Sequence, residues 1–205
     1  MFVSEIFHSI QGEGSNAGKP AVFLRLSGCN LRCKWCDTKY AQTKGKEMAT
    51  DQIIREIKKY PCQHLVITGG EPLLQQNGLK ALFKKLKNYT AEIETNGSLP
   101  IKISRLIEQI NCSPKLKNSG NPAYPLRVKP ANKKVLYKFI VQKGEDLKEI
   151  NAFIRKYKIP KTSVYLMQEG TSKTAILKRS KWLVESCKKE GYNFSPRLHI
   201  IMNIK

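Results

Sequence analysis

The amino-acid sequence predicts an α/β protein with a mostly parallel sheet of about six strands. Two observations support this prediction. Short runs rich in β-branched and aromatic residues alternate along the chain with amphipathic segments, as expected when helices connect parallel strands. The unusual polar motifs also follow the ends of several strand-like runs, and in parallel α/β folds the chemistry lies at that edge of the sheet. We therefore expect one functional edge.

In the first half of the chain, predicted strands alternate with predicted helices. The run AVFLRLS at 21–27 predicts a strand that leads directly into a group of cysteines. Residues 49–60 predict a helix, because Ile53, Ile54 and Ile57 have the spacing of a buried helical face. A strand is expected at 64–72 and another at 91–97. The helix between them has an apolar face formed by Leu79, Leu82, Phe83 and Leu86.

The second half of the chain continues this alternation around an irregular stretch. Residues 116–133 contain a glycine, three prolines and several asparagines, a composition typical of a long loop or insertion. The expected elements are a helix over 103–110, a strand end over 111–116, strands at 135–142, 163–170 and 197–204, and helices at 146–158 and 173–191. Residues 1–205 suffice for one full core, so we predict a single domain.

Composition restricts the location and the partners of the protein. No segment approaches the roughly 18 consecutive apolar residues of a membrane span, and the N-terminus lacks a basic stretch followed by an apolar run. We expect a cytoplasmic protein without a membrane partner. The 37 Lys and Arg outnumber the 16 Asp and Glu, a formal charge of +21. Because lysines recur along the whole chain, we expect them on solvated helix faces, with a tRNA or nucleotide partner as the alternative.

Three of the six cysteines, Cys29, Cys33 and Cys36, form the motif CNLRCKWC. In a reducing compartment such a group indicates metal ligands or catalytic residues more often than disulfides. Three thiolates can bind three irons of a [4Fe–4S] cluster and leave the fourth iron open to an external ligand. A structural zinc site, with His8 or His64 as the fourth ligand, is the alternative. The remaining cysteines, expected to be free thiols, are Cys62, Cys112 and Cys187.

The motif TGGEP, Thr68 to Pro72, ends the strand predicted at 64–72. Its two glycines allow the backbone to approach a ligand closely, and Glu71 offers a carboxylate to an ammonium group. Alone, the motif could be a tight turn before a helix. Beside an iron with an open position, it matches what binding of S-adenosylmethionine requires, because the amino and carboxylate groups of that molecule can bind iron.

With these two motifs, the chain resembles the radical S-adenosylmethionine enzymes. CNLRCKWC matches the cluster motif of that superfamily, and TGGEP matches its GGE motif. The resemblance implies a partial (β/α) barrel and a [4Fe–4S] cluster. It also implies reductive cleavage of S-adenosylmethionine to a 5′-deoxyadenosyl radical, which takes a hydrogen atom from the substrate. An electron donor such as flavodoxin or ferredoxin would supply the reducing electron.

Two longer stretches, FHSIQGEG and AVFLRLSGCNLRCKWCDT, are similar to the 7-carboxy-7-deazaguanine synthase family within that superfamily, and the resemblance covers about residues 4–205. It implies a carbon–nitrogen lyase of queuosine or deazapurine biosynthesis. That enzyme contracts the ring of 6-carboxy-5,6,7,8-tetrahydropterin to 7-carboxy-7-deazaguanine with loss of ammonia. A Mg²⁺ requirement and a homodimer are implied as well.

The site residues of that family match positions of this chain one at a time. The three motif cysteines match the cluster ligands, and Thr38 matches a magnesium ligand, a hard oxygen suited to that ion. Matches on the substrate side are Ile10, Gln11, Gly12, Glu13, Arg25, Thr68, His199 and Lys205. Matches on the cofactor side are Gly70, Glu71, Ser113, Pro114, Lys115 and Gln168, the last at a position where we expect proline in many relatives. No residue is an obvious general acid or base.

Arg25 also has an argument that does not depend on the resemblance. It lies on the apolar run at 21–27, where an inward guanidinium would be costly without an anion to pair with it. The resemblance suggests that this anion is the carboxylate of the substrate.

Two other functions remain open from the sequence. A small activating enzyme for a glycyl-radical protein would also carry a three-cysteine motif, but would act on a protein backbone. A zinc-stabilised basic RNA-binding module fits the charge and the cysteines, yet it gives no reason for TGGEP or for a full α/β core. FHSIQGEG, Arg25 and Thr38 favour the small carboxylated substrate, so nucleic acid is not required as a partner.

Overall fold

The computed structural model describes residues 1–43, 45–130 and 134–205. Within these residues nine strands form one sheet. They are β1 (Phe2–Ile10), β2 (Pro20–Leu26), β3 (Lys46–Glu47), β4 (His64–Gly69), β5 (Thr90–Thr95), β6 (Gln109–Cys112), β7 (Val135–Val141), β8 (Val164–Gln168) and β9 (Asn193–Phe194). Their order is β3-β1-β2-β4-β5-β6-β7-β8-β9. β1 runs antiparallel to β2 and β3, and every other pair is parallel, which confirms the predicted class.

Five helices accompany the sheet. They are α1 (Thr50–Ile57), α2 (Gln76–Lys85), α3 (Asp146–Tyr157), α4 (Lys173–Glu190) and α5 (Leu198–Ile201). The main core lies between these helices and one face of the strands. Ile53 and Ile57 of α1 and Leu79 and Leu82 of α2 are fully buried there, as the helical spacing predicted. None of the described helices is long and apolar enough to cross a membrane.

The other face of the sheet changes character from one side to the other. On β1, β2 and β4 it is apolar, with Phe7, Ala21, Phe23 and Val66 in one cluster. On β5, β6 and β7 the same face carries buried polar and charged residues, which are Glu92, Asn111 and Lys138. Because an unpaired buried charge is costly, this half of the inner face requires internal partners.

The helix predicted over 103–110 is wrong. Residues Ser104–Leu106 form a short 3₁₀ turn, and the chain then enters β6 at Gln109. Ile103, Ile107 and Ile110 are buried, and their spacing imitates a helical face. Pairing of β6 with both β5 and β7 decides the outcome, since it satisfies the backbone of this segment within the sheet.

The strand predicted over 197–204 is also wrong. Residues Leu198–Ile201 form α5, and the last strand is the short β9 that precedes it. The amide of Leu198 donates to the carbonyl of Gly12 (2.9 Å), and the amide of Gly14 donates to the Ser195 hydroxyl (2.8 Å). The C-terminal segment therefore connects the end of β9 to the turn that follows β1.

β1 was not predicted as a strand, although it pairs with β2 from Val3 to Ile10. The region 116–133 is irregular where the structure describes it, apart from a 3₁₀ turn at Lys117–Ser119. Residues 131–133 of this predicted loop lie outside the described residues.

Candidate active site

A cavity of about 470 Å³ opens at the carboxyl ends of the parallel strands, as the position of the motifs predicted. Thr68 of β4, Glu94 of β5, Ile140 of β7 and Met167 of β8 lie in its wall. Many residues predicted for the site line it, namely Ile10, Gln11, Gly12, Glu13, Arg25, Cys29, Cys33, Cys36, Thr38, Thr68, Gly70, Ser113, Lys115, His199 and Lys205. Glu71, Pro114 and Gln168 are not in the lining.

The cysteine loop forms one wall of the cavity. All three thiols are free and half-buried, and burial raises the pKa of Cys29 and Cys33. The residues at 118–121 hold this loop in place. Asn121 Nδ2 donates to Cys33 Sγ (3.2 Å), and the indole of Trp35 donates to the Asn118 carbonyl (3.0 Å).

The three thiols fit a cluster better than a single zinc ion. Among the described residues, the one group of three ligand atoms that all lie within 4.8 Å of one another is Glu13, Asp37 and His199, not the cysteines. His64 bonds Thr90 (2.9 Å) instead of approaching the thiols, and His8 stacks on Tyr60. Neither histidine suggested as a fourth zinc ligand joins the cysteine loop, so the donor set suits a larger inorganic group with an open position.

The two glycines of TGGEP are required by contact between two chain segments. A Cβ on Gly70 would overlap the carbonyl oxygen of Gly28, the residue before the first motif cysteine. The amides continue this contact, because Gly70 N donates to Leu26 O (3.1 Å) and Glu71 N donates to Gly28 O (2.8 Å). The glycines thus fix the end of β4 against the start of the cysteine loop, in addition to leaving room for a ligand.

Glu71 does not face the cavity. Its side chain is fully buried, and its carboxylate accepts hydrogen bonds from Leu73 N (3.0 Å), Thr95 Oγ1 (2.8 Å) and Asn96 N (2.7 Å). Burial raises the pKa of Glu71. The expectation that Glu71 holds a ligand ammonium group therefore does not fit its position. Glu71 instead orients Thr95 and Asn96, and both of these residues line the cavity.

A charged wall stands on the inner face of β5 and β7. Lys138 is 4% exposed and donates to Glu13 (2.5 Å) and to Glu94 (2.8 Å). Burial opposes the charge of Lys138, but the two carboxylates outweigh it and raise its pKa. Burial would likewise raise the pKa of Glu13, yet Lys138 and Arg197 lower it. For Glu94, burial is dominant and raises the pKa.

Arg197 extends this wall toward the cysteine loop. Its guanidinium is 5% exposed and pairs with Glu13 (3.2 Å) and with Asp37, the residue after the last motif cysteine. His199 lies beside the same carboxylate (3.8 Å from Glu13), and burial lowers its pKa. A side chain at Gly12 would overlap the imidazole of His199. The turn after β1 and the C-terminal segment are therefore fitted to each other.

Gln11 belongs to a buried network behind this wall. Its amide nitrogen donates to Glu92 (2.6 Å), and its amide oxygen accepts from the Glu13 amide (3.2 Å). Glu92 is fully buried and also accepts from Asn16 (2.8 Å). Burial would raise the pKa of Glu92, but the nearby His64 (3.5 Å) and the hydrogen bonds from Asn16 and Gln11 lower it. The side chain of Gln11 is thus committed to the protein and positions the backbone at Gly12 and Glu13.

Arg25 points into the cavity, but its anion is on the protein. Its Nε donates to Glu5 (2.8 Å), a carboxylate that also accepts from Tyr40 (2.6 Å) and pairs with Lys205 (2.7 Å). The argument that Arg25 requires a substrate carboxylate is therefore wrong, because Glu5 compensates the charge. A guanidinium has five N–H donors, so a pair with Glu5 leaves capacity for a second anion.

Thr38 and Lys115 both line the cavity. The Thr38 hydroxyl donates to Asp37 (2.8 Å), which leaves its lone pairs available. Lys115 Nζ donates to the carbonyl and the hydroxyl of Ser113 (2.8 Å each) and lies 5.6 Å from the centre of the Trp35 ring. These contacts hold a cation close to the three thiols.

Gln168 does not fit the predicted side-chain contact with a cofactor. It is fully buried on the face of β8 that carries Leu166 and faces the helices, whereas Met167 and Glu169 line the cavity. The two-residue period of a strand places Gln168 on the far side. Neither polar atom of its amide has a hydrogen-bond partner among the described residues.

Comparison with known proteins agrees with this geometry. The model of the Radical SAM superfamily matches residues 24–183. The 7-carboxy-7-deazaguanine synthase of Pyrobaculum aerophilum is 37% identical, with 97% of this chain and 93% of the relative covered. The enzyme of the same name from Aquifex aeolicus is 33% identical, with 99% and 94% covered. The chain belongs to this family. It is a radical S-adenosylmethionine lyase. The motifs CNLRCKWC and TGGEP predicted the superfamily, and the resemblance of the two longer stretches implied the lyase.

Solved structures support the observed fold. The crystal structure of QueE from Escherichia coli has a TM-score of 0.75 at 23% identity and covers 97% of this chain and 94% of that one. Native anSMEcpe with bound AdoMet and a peptide has a TM-score of 0.52 at 14% identity, with 82% and 60% covered. At these identities the likeness concerns the fold, and it supports the partial (β/α) barrel. The family implies a [4Fe–4S] cluster and S-adenosylmethionine.

Proposed function

We propose that the chain converts 6-carboxy-5,6,7,8-tetrahydropterin to 7-carboxy-7-deazaguanine with loss of ammonia. The observation that carries this proposal is a single cavity with three thiols on one wall and a buried carboxylate pair, Glu13 and Glu94, on the other. When bound, the cluster and S-adenosylmethionine would supply a carbon radical able to take a hydrogen atom. The chain itself binds, orients and shields the substrate.

The charged wall suits the nitrogen-rich edge of a pterin. A pterin ring presents N–H donors beside a carbonyl oxygen, and carboxylates accept from N–H groups. Lys138 and Arg197 hold Glu13 ionised, so that its oxygens remain acceptors. We assign Glu13 and the backbone of Ile10 and Gly12 to the substrate, with Gln11 acting as a positioning residue.

The opposite side of the cavity suits the substrate carboxylate. Arg25, Lys205 and Thr38 all line the cavity, and Arg25 and Lys205 share the carboxylate of Glu5. We propose that Arg25 uses its remaining donors for the carboxylate and that Thr38 binds Mg²⁺ through its hydroxyl oxygen. Mg²⁺ takes oxygen ligands and keeps several waters, so a single protein hydroxyl together with a substrate carboxylate suits this ion.

Replacing Thr38 should separate the magnesium ligand from the cluster. We expect Thr38→Ala to raise the Mg²⁺ concentration that gives half-maximal turnover by about tenfold, since one ligand is lost. Thr38→Ser retains the hydroxyl and should keep the half-saturating Mg²⁺ concentration within about twofold. Iron content should stay unchanged in both variants, because the Thr38 hydroxyl donates to Asp37 and forms no hydrogen bond with a thiol among the described residues. An unaltered Mg²⁺ titration of Thr38→Ala would refute the assignment.

The proposed reaction can be tested on anaerobically purified protein. A brown protein with about four iron and four sulfide per chain is expected, whereas a colourless protein with stoichiometric zinc would contradict the account. The protein is then incubated with reductant, S-adenosylmethionine, Mg²⁺ and the carboxylated pterin. Mass spectrometry should detect the deazapurine. Cleavage of S-adenosylmethionine without this product would favour the activating enzyme of a glycyl-radical protein. A homodimer stays a prediction.

A further inference from the structure

Asn121 connects the segment at 118–121 to one of the motif thiols. Its Nδ2 atom donates to Cys33 Sγ (3.2 Å), and its Oδ1 atom accepts from Arg32 N (2.8 Å). A backbone N–H can only donate, so its partner is the amide oxygen, and the amide nitrogen is directed at the sulfur. One side chain therefore holds the backbone of the cysteine loop and also supplies a hydrogen-bond donor to Cys33.

The orientation of this amide is fixed by Ser119. Ser119 is fully buried, and its hydroxyl donates to the carbonyl of Leu116 (2.7 Å). The same oxygen accepts from the backbone amide of Asn121 (3.2 Å) and from Asn121 Nδ2 (3.1 Å). The side-chain amide of Asn121 thus donates to both Ser119 and Cys33, and a rotated amide would lose these two bonds together with the bond from Arg32.

The bond from Asn121 distinguishes Cys33 from the other two motif cysteines. Cys29 Sγ accepts from the backbone amide of Leu31 (3.4 Å), and Cys36 Sγ accepts from no group in the part of the chain that the structure describes. Asn121 does not line the cavity, whereas all three cysteines do. The donor therefore approaches Cys33 from outside the cavity and leaves the space for a cofactor and a substrate unchanged.

We propose that Asn121 is a positioning residue that raises the reduction potential of an iron–sulfur cluster held by the cysteine loop. The inference rests on the proposed function, because it requires a [4Fe–4S] cluster on Cys29, Cys33 and Cys36. Hydrogen bonds to the ligand sulfurs are among the factors that set the potential of such a cluster.

The direction of the effect follows from the charge on the sulfurs. One electron from a low-potential chemical reductant takes the cluster from the 2+ to the 1+ state, and part of the added negative charge lies on the thiolate sulfurs. An N–H donor to Cys33 Sγ stabilises this charge, because hydrogen bonds are stronger when the acceptor is ionised. Loss of the donor should therefore make the cluster harder to reduce.

Two variants of Asn121 separate the donor from the packing. Asn121→Asp has nearly the same shape and retains an oxygen for Arg32 N, but a carboxylate has no N–H for the sulfur. In a redox titration followed by electron paramagnetic resonance, the equilibrium constant for reduction should fall at least about tenfold, a shift of about 59 mV to lower potential. Asn121→Ala removes both contacts without adding charge, and its constant should fall at least about threefold.

Asn30→Asp is the matched control, because it adds the same charge to the same loop. Asn30 follows Cys29, and its amide bonds Ser98 Oγ (2.8 Å) and Asn96 (3.0 Å), with no bond to a thiol in the described part of the chain. Since Asn30 is exposed, salt screens the added charge, and the equilibrium constant should stay within about twofold of the wild type. Equal shifts in Asn30→Asp and Asn121→Asp would overturn the proposal, as would an unchanged potential in Asn121→Ala.

Iron content and circular dichroism distinguish an effect on the potential from support of the loop. A lower potential in Asn121 variants that keep about four iron per chain supports the proposal. If both variants fold but hold no cluster, Asn121 is a structural support of the loop and the proposal is overturned. If the wild type forms the deazapurine and all the proteins share one potential, the inference fails and the proposed function stands. If the potentials shift as expected but no deazapurine forms, the proposed function fails and the inference stands.

Discussion

Replacing Lys138 by methionine should lower the free energy of unfolding by about 3–5 kcal/mol at pH 7, because removal of one partner strands buried charges. Lys138 is the shared partner of Glu13 and Glu94 and is almost entirely buried. Methionine retains the length of the side chain and removes the ammonium group. Urea unfolding followed by circular dichroism measures the effect.

The same variant should show a distinct pH dependence. In the wild type the pKa of Glu13 is lowered by folding. Its contribution to the free energy of unfolding is therefore fully present above the pKa that Glu13 has in the unfolded chain, and it is lost as the pH falls. Without Lys138 a buried carboxylate favours its protonated form, so the variant gains relative stability in acid. The difference in the free energy of unfolding between the wild type and Lys138→Met should therefore become smaller as the pH is lowered from 7 to 5.

Two controls distinguish charge from packing. Lys138→Met/Glu94→Gln removes the carboxylate as well, and it should recover at least about 1 kcal/mol relative to Lys138→Met. Lys188→Met breaks an exposed pair with Glu185 and should change stability by less than about 1 kcal/mol. If Lys138→Met unfolds at the same urea concentration as the wild type at pH 7, the charged wall does not stabilise the fold as argued.

Cys36→Ala should reduce turnover by at least about 1,000-fold and lower the iron content, since one of the three proposed thiolate ligands is lost. Its matched control is Cys62→Ala. Cys62 is a free thiol that contacts the carbonyl of Pro20 (3.4 Å) and does not line the cavity. Iron analysis and product formation are measured for both proteins. Full iron content in Cys36→Ala, or equal losses in the two variants, would contradict the assignment of the cysteine loop.

The sequence predicted the sheet and its functional edge because both depend on local patterns. Strand-like runs and the motifs CNLRCKWC and TGGEP lie within short segments. The helix predicted over 103–110 failed because pairing with two neighbouring strands overrides a helical spacing of isoleucines. The segment 197–204 failed because its structure depends on contact with Gly12, far away in the chain.

The charged wall was missed for a related reason. Glu94, Lys138 and Arg197 come from three distant parts of the chain, and none belongs to a recognisable motif. A signal was present, since Lys138 interrupts the apolar run VLYKFIV and Glu92 and Glu94 alternate with Ala91 and Ile93. A period of two on a buried strand places such residues on one face. Their partners, however, follow only from the order of the strands.

Glu71 and Arg25 show how a motif can identify a residue without its contacts. The carboxylate of Glu71 lies against Leu73, Thr95 and Asn96, and not against the cavity. Arg25 does face the cavity, but Glu5 on the neighbouring strand provides its anion. Sequence alone does not specify which of several nearby groups satisfies a buried polar side chain.

Deuterium transfer from the substrate tests the central claim most directly. The cavity is proposed to hold a ring carbon of the carboxylated pterin beside the carbon radical derived from S-adenosylmethionine. Substrate deuterated at its ring carbons is incubated with the reduced protein, and the recovered S-adenosylmethionine is analysed by mass spectrometry. The family resemblance implies that S-adenosylmethionine is regenerated in each turnover, so we predict deuterium in its adenosyl group together with formation of 7-carboxy-7-deazaguanine. Recovery of unlabelled S-adenosylmethionine alongside this product would contradict hydrogen abstraction from the pterin.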